Sequence, residues 1–299
     1  MRLEVTLATA TTEFLERTEL AKSSKYTYRL VLLPLLQEYG SWSIAIISRQ
    51  TLIEYLNSLD ELSWTTHHKH QAILQSLFNF AVEQGYINFN PISGLKQRQP
   101  SPEKGEHKKD AKVRFLTQSQ LKLLYCAVRD DLRMNAIVHL LHRTGCRITE
   151  LLSLNYKDVD FDNQKFEVIG KGNKQRWCFY SNDAAESLNK YLSLSRLKNH
   201  NALFTAQHPG TLKVSRISYS TVYKDWRELI EPYPKIHGAR IHDLRHTFAT
   251  ERLGLLNIEE LRALMGHENI QTTLIYQKVT SRLCEESARK AFDSLLNVE

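Results

Sequence analysis

The sequence predicts a mainly α protein in two units, with one small antiparallel β-sheet inside the second. Three observations lead there. Apolar residues recur at helical spacing along most of the 299-residue chain, a charged stretch at 96–114 has no periodicity, and β-rich residues flank a single Gly-Lys-Gly-Asn turn at 170–173. A chain of this length accommodates two domains of ordinary size.

The front unit, 1–95, reads as helices separated by short polar breaks. "TEFLERTELA" has a threonine-led start and an apolar face. "SSKYTYRLVLLPLLQEYG" opens on serines suited to capping and stops at Gly40. "SRQTLIEYLNSL" is the third helix. The long "THHKHQAILQSLFNFAVEQGYI" carries Ile73, Leu74, Leu77, Phe78, Phe80 and Ala81 at helical spacing, and "NFNPISGL" then stops it with Asn, Pro and Gly.

The stretch 96–114 holds seven Lys or Arg against three acids, a net of +4. A charge block of this kind is a solvated linker, or a linker that lies on nucleic-acid phosphates through residues such as Lys108, Lys109, Lys112 and Arg114.

The second unit, 115–280, begins at "FLTQSQLKLLYCAV", where Thr117 and Gln120 form a capping box ahead of an apolar-periodic helix. "MNAIVHLLHRTG" is a further helix ending at Gly145. "VDFDNQKFEVIGKGNKQRWCFY" reads as a hairpin, with Trp177 expected in the core, and helical patterns then resume. In 281–299, Leu283, Ala288, Ala291, Phe292 and Leu295 outline a terminal helix that packs on its own core or docks on a neighbouring protomer.

The net charge of +7 and pI near 9.1 favour a polyanionic partner, without separating DNA from RNA or a membrane surface. The longest apolar run, "LVLLPLL" at 30–36, is too short to span a bilayer, and the N-terminus lacks a signal peptide's apolar core. A cytoplasmic protein is expected. The four cysteines, Cys126, Cys146, Cys178 and Cys284, form no C-x-x-C pair, so reduced thiols without structural zinc are expected, with Cys146 in packing.

Four stretches of the second unit hold residues unusual for packing alone. "TGCRITELL" puts Arg147 after a helix stop and three residues before Glu150. "IGKGNKQR" puts Lys171 at the hairpin tip, "HDLRH" supplies His242 and Arg245, and "LMGHENIQTTLIY" supplies His267 and Tyr276. Two arginines can hold the non-bridging oxygens of a phosphodiester and oppose the charge of a pentacoordinate state. A tyrosine can attack phosphorus once its proton is accepted, a lysine can protonate the leaving alkoxide, and histidines can move protons or hydrogen-bond the phosphate near neutral pH.

"HDLRH" also admits another reading. His242 and His246 have the spacing of a zinc-binding H-E-x-x-H helix, with Asp243 in the place of the glutamate. A zinc hydrolase needs a third ligand and a base, and that reading leaves Arg147, Lys171 and Tyr276 unexplained. The pair expected to matter is therefore His242 and Arg245 on one helix face, with His246 left to packing or helix-level support and contact with the active-site shell as the lesser alternative.

In order and spacing, "TGCRITELLSL", "VIGKGNKQR", "HDLRHTFAT" and "LMGHENIQTTLIYQKV" resemble the signature of the tyrosine recombinases, the phage-integrase superfamily, over 115–280. The front-half stretch "AVEQGYINFNPISGLK" resembles the end of the helical core-binding domain of Xer-like members. The resemblance implies a two-domain clamp on DNA: a helical core-binding domain over 1–95, a basic linker over 96–114 and a mostly helical catalytic domain over 115–280.

It also implies roles. Arg147 and Arg245 would bind the scissile phosphate, and Lys171 would be the general acid, with Lys174 as the substitute if the turn is registered differently. His242 would assist proton transfer at the tyrosine, His267 would hydrogen-bond the phosphate, and Tyr276 would form a 3′-phosphotyrosyl bond. Glu150 would fix an arginine or histidine from behind, while Lys174 and Arg176 would join the basic residues of the linker on DNA. The implied protein is a site-specific recombinase on double-stranded DNA with paired sites, working without metal or other cofactor. It would act as a homotetramer, or a heterotetramer with a second recombinase, through a Holliday junction. A type IB topoisomerase-like enzyme and a non-catalytic sequence-specific DNA-binding protein are the alternatives.

Overall fold

The computed structural model describes residues 4–106, 113–170 and 174–276, and the chain divides into two compact units, Met1–Ala111 and Lys112–Glu299. The expected terminal helix at 281–299 lies outside the described residues, as do Lys108, Lys109, Lys112 and Lys171. The architecture is mainly helical with small antiparallel sheets, as the sequence predicts.

In the first unit, α1 (Leu7–Glu16), α2 (Lys22–Tyr39), α3 (Arg49–Ser58) and α4 (Trp64–Glu83) enclose one core that includes Phe14, Leu32, Leu35, Leu52, Leu77 and Phe78. Thr6, Ser48 and Ser63 each cap a helix by accepting a backbone N–H three residues on. Two helix starts differ from expectation. α1 begins earlier than "TEFLERTELA", because Leu7 and Ala10 are buried with Phe14. α2 begins after Ala21 with no side-chain cap, so Ser23 and Ser24 lie inside its first turn.

The front part of the charged stretch is fastened to this unit. The Glu106 carboxylate accepts the backbone N–H of Trp64 at 2.5 Å and of Ser101 at 3.0 Å, and pairs with Arg98 at 2.8 Å. The Arg98 carbonyl in turn accepts the Trp64 indole N–H at 2.7 Å. Absence of hydrophobic periodicity therefore hides a polar clasp over 96–106 rather than a free tether.

The second unit is built around α6 (Leu132–Thr144), whose Met134, Ile137, Val138 and Leu141 are buried. It follows α5 (Gln118–Ala127), which carries the Thr117–Gln120 capping box, and leads into α7 (Ile148–Ser153). Strands β1 (Val159–Asp160), β2 (Lys165–Ile169) and β3 (Gln175–Phe179) form an antiparallel sheet with β2 in the middle. After α8 (Asn182–Leu194), β4 (Thr205–Gln207) and β5 (Val214–Arg216) make a second, two-stranded sheet that the sequence reading lacks; three-residue strands are too short to show an alternating pattern. α9 (Tyr219–Ile230), α10 (Asp243–Arg252), α11 (Ile258–Met265) and α12 (Gln271–Leu274) complete it.

Trp177 corrects another expectation: it is 45% exposed. On β2 and β3 the residues Phe166, Val168 and Cys178 face the core, so the period-two alternation of a strand turns Trp177 outward, where the Lys165 ammonium sits 4.7 Å from its ring centroid. Cys146 is buried, as expected. Among the described residues, no helix is long and apolar enough to cross a membrane.

Candidate active site

Two glycines in the left-handed region deliver the site's first and last basic groups. Gly145 (φ +63°) ends α6, and a Cβ there would meet the Phe248 ring at 2.4 Å, so the position demands glycine both for conformation and for space. The chain reverses and places Arg147 at the N-cap of α7. Gly266 (φ +62°) ends α11 in the same way and hands the chain to His267.

Glu150 organises the arginine side. Its buried carboxylate accepts the Arg147 backbone N–H at 2.7 Å and the Arg147 guanidinium at 2.8 Å, and it takes Arg176 through both oxygens at 3.1 and 2.6 Å. Burial pushes this carboxyl up, but the hydrogen bonds from Arg176 and Arg147 outweigh it and hold the pKa below the ordinary value. Arg176 also donates from Nε to the Leu264 carbonyl at 3.1 Å, tying β3 to the end of α11. Arg176, expected on DNA, is thus engaged in a buried pair with Glu150, its side chain only 11% exposed.

Arg245 comes from α10 and is almost wholly buried. Its two terminal nitrogens donate to the carbonyls of Gly145 at 2.5 Å and Met265 at 2.6 Å, so one guanidinium joins the two glycine turns. Burial and then the neighbouring Arg147 charge lower its pKa to about 10, leaving it a cation near neutral pH.

The tyrosine side is apolar and close to neutral. Tyr276 is 1% exposed and packs with Phe248, Leu261 and Met265. Its hydroxyl lies 2.9 Å from His246 Nδ1, and its ring stacks on His267 with centroids 6.5 Å apart. Burial raises the phenol pKa, while Arg245 and Arg147 draw it back down. Burial and then the His242 charge lower His246 to about 4, and burial and then Arg245 lower His267 to about 3. His267 Nδ1 is 2.9 Å from Thr273 Oγ1. His242 stands edge-on to His246 at 4.7 Å between centroids; partial desolvation and then Arg245 lower its pKa, although the residue is exposed.

Arg147, Glu150, Arg245, His242, His267 and Tyr276 are therefore gathered in one place. Arg147 and His267 line a cleft of about 400 Å³ together with Lys174, whose ammonium lies exposed 3.9 Å from Glu268. Arg114 stands apart from it, 3.6 Å from the buried Asp243. Asp243 also pairs with Arg240, so the residue in the place of a zinc helix's glutamate faces two arginines. Among the described residues, no three His, Cys, Asp or Glu side chains are grouped to hold a metal ion.

The sequence favours packing or helix support for His246 over contact with the active-site shell, and the structure puts it on the tyrosine hydroxyl. The signal was present: an i, i+4 relation to His242 and adjacency to Arg245 place it at the same helix end. What the spacing could not show was that residue 276, thirty positions later, returns to that ring.

The phage integrase family model matches residues 114–282, more than half of the chain. Tyrosine recombinase XerC of Pediococcus pentosaceus is 29% identical over 264 residues, covering 83% of each chain. XerC of Pseudomonas fluorescens is 32% identical over 249 residues, covering 80% of this chain and 78% of its own. Among solved structures, the Tn1549 transposon integrase in complex with transposon right end DNA superimposes with a TM-score of 0.74 at 21% identity, covering 97% of this chain and 99% of that one. With the ordered motifs gathered around one buried tyrosine and the family model covering most of that unit, the chain belongs to the phage integrase family, the site-specific tyrosine recombinases.

Proposed function

We propose that this chain cuts and rejoins double-stranded DNA at paired sites, with Tyr276 as the nucleophile. The observation that carries the reading is a buried tyrosine hydroxyl hydrogen-bonded to a histidine and lying in the field of Arg147 and Arg245. A phosphodiester seated on the two guanidinium groups would have its non-bridging oxygens held and the charge of its pentacoordinate state opposed. Oη of Tyr276 then bonds to phosphorus, the bond to the 5′-oxygen breaks, and Lys171 supplies that oxygen's proton. His267 hydrogen-bonds the phosphate, His242 assists proton movement at the mouth, and Glu150 holds Arg147 in place from behind.

The 5′-hydroxyl of a partner strand attacks the 3′-phosphotyrosyl bond in the reverse step, so bond energy is conserved in the exchange. Paired exchanges through a Holliday junction call for four active sites, supplied by a homotetramer or by a heterotetramer with a second recombinase. The net charge of +7, exposed Lys174 and the basic residues Lys108, Lys109, Lys112 and Arg114 suit a phosphate backbone. The helical unit Met1–Ala111 would be the second DNA-holding part.

The test is a nicked duplex from which the cleaved 5′ fragment diffuses away. Its sequence is the one that the full chain enriches from a randomised pool. Wild type should trap a denaturation-resistant protein–DNA adduct, and Tyr276→Phe should trap none. An adduct that persists in Tyr276→Phe sinks the assignment of the nucleophile.

A further inference from the structure

We propose that His246 takes the proton directly from the attacking tyrosine. This rests on the recombinase reading above and assigns to His246 a catalytic role within it. Among the described residues, the hydrogen-bond partner of the Tyr276 hydroxyl is His246 Nδ1 at 2.9 Å. The ring of His242 meets that of His246 edge-on, so it stands one ring removed from the hydroxyl.

The surroundings set the charge states on the two sides of that hydrogen bond. His246 is neutral near pH 7, since burial and its neighbours lower its pKa to about 4, and Tyr276 is protonated, since burial raises it. In the proposed tautomer, with the imidazole proton on Nε2, the phenol O–H donates to the Nδ1 lone pair. The groups that face the His246 ring are His242, Asp243, Arg240, Arg245 and Tyr276, of which His242, Arg240 and Arg245 lower its basicity and Asp243 raises it. A phosphodiester bound on Arg245 and Arg147 brings a negative charge that offsets those cations. Substrate binding therefore strengthens the base at the moment it is needed, and an empty site keeps the tyrosine in its unreactive protonated form.

The step balances. The Oη–P bond forms as the P–O5′ bond breaks, the phenol proton moves to Nδ1 to give an imidazolium, and the 5′-oxygen takes a separate proton from Lys171. In rejoining, the 5′-hydroxyl gives its proton to Lys171 as it attacks phosphorus, the tyrosine oxygen leaves, and it recovers the proton from His246.

Single-turnover cleavage of the enriched nicked duplex by the full chain tests this. In wild type, the rate should rise with pH and reach a plateau within about pH 5 to 9, as for a titrating base. His246→Asn places an amide where Nδ1 was, so it keeps a hydrogen bond but cannot take a proton. Cleavage should fall about a hundredfold or more while DNA affinity and thermal midpoint hold, and the rate should then climb about tenfold per pH unit, without a plateau, as hydroxide replaces the base. A 5′-bridging sulfur, a leaving group that needs no proton, should restore Lys171→Ala but leave His246→Asn slow.

His246→Asn cleaving within about threefold of wild type overturns the proposal, as does its rescue by the sulfur substrate. If the variant unfolds, the wild-type profile decides: a rise without a plateau overturns the proposal and a plateau supports it. A wild type that forms no Tyr276-dependent adduct sinks the recombinase reading and this proposal together, whereas an adduct indifferent to His246→Asn sinks the proposal alone.

Discussion

The two sides of the active site solve opposite problems. On the arginine side, Arg147 and Arg176 converge on one buried carboxylate, and Arg245 is spread across two backbone carbonyls. On the tyrosine side, His267 and Tyr276 are buried and His246 is half-buried, and all three are held toward their uncharged forms. The first keeps positive charge in fixed positions before any phosphate arrives, so little reorganisation remains to be done. The second keeps the Tyr276 hydroxyl protonated, the state from which the proposed attack on phosphorus would have to start. Arg245 belongs to both sides, because its charge also lowers the pKa values of His242, His246 and His267.

The largest effect should come from removing the anion that organises the arginine side. Glu150→Ala strands the buried Arg176 and frees Arg147, and loss of one partner of a buried pair costs about 3–5 kcal/mol. Chemical denaturation should show that loss, and adduct formation should fall with it. An unchanged midpoint would mean that Arg176 finds solvent. The same pairing has a pH signature. The folded pKa of Glu150 lies below its ordinary 4.5, so its contribution is present above that value and is lost as pH falls below it.

The tyrosine side should respond at higher pH and for another reason. His246 and His267 titrate at about 4 and 3 when folded against 6.5 ordinarily, so below 6.5 the unfolded chain takes up protons that the folded chain refuses. Stability should therefore decline as pH drops from 6.5 towards 4, before Glu150 begins to contribute. Denaturation midpoints measured across that window should fall for wild type and fall less steeply for His246→Asn. Equal slopes would show that these rings are hydrated.

Gly266→Ala probes the joint between the two sides. A left-handed backbone costs a non-glycine residue about 1–2 kcal/mol, and the new methyl would lie 2.8 Å from an Arg176 nitrogen that is committed to Glu150. The thermal midpoint should drop by several degrees and adduct formation should slow, because His267 is the next residue. A full-rate variant would show that the His267 position tolerates movement. The smallest effect is expected at the rim: Lys174 is 73% exposed, and Lys174→Ala should leave stability alone while reducing the salt dependence of DNA binding by about one charge.

Much of this site was legible along the chain because its parts are local motifs. Gly145 ahead of Arg147, the Arg147–Glu150 relation at i, i+3, and Gly266 ahead of His267 are each set by a helix end, whose geometry follows from a few adjacent residues. The capping box at Thr117 and the apolar faces of the helices belong to the same class. The short β4–β5 pair and the polar clasp around Glu106 were not legible, because three-residue strands and buried hydrogen bonds leave no period.

By itself, then, the sequence determined the helical class, the two units and the inventory of two arginines, a lysine, histidines and a tyrosine, since helix periodicity and short motifs are properties of neighbouring residues. Tertiary structure alone decided how that inventory is shared out. Arg176 left the basic surface for Glu150, and Trp177 turned outward because its strand neighbours took the core. His246 met a hydroxyl thirty residues away. Each of those outcomes depends on which elements pack together and on the cost of burying a charge or a polar group without a partner, and neither is written into the spacing of residues along one helix.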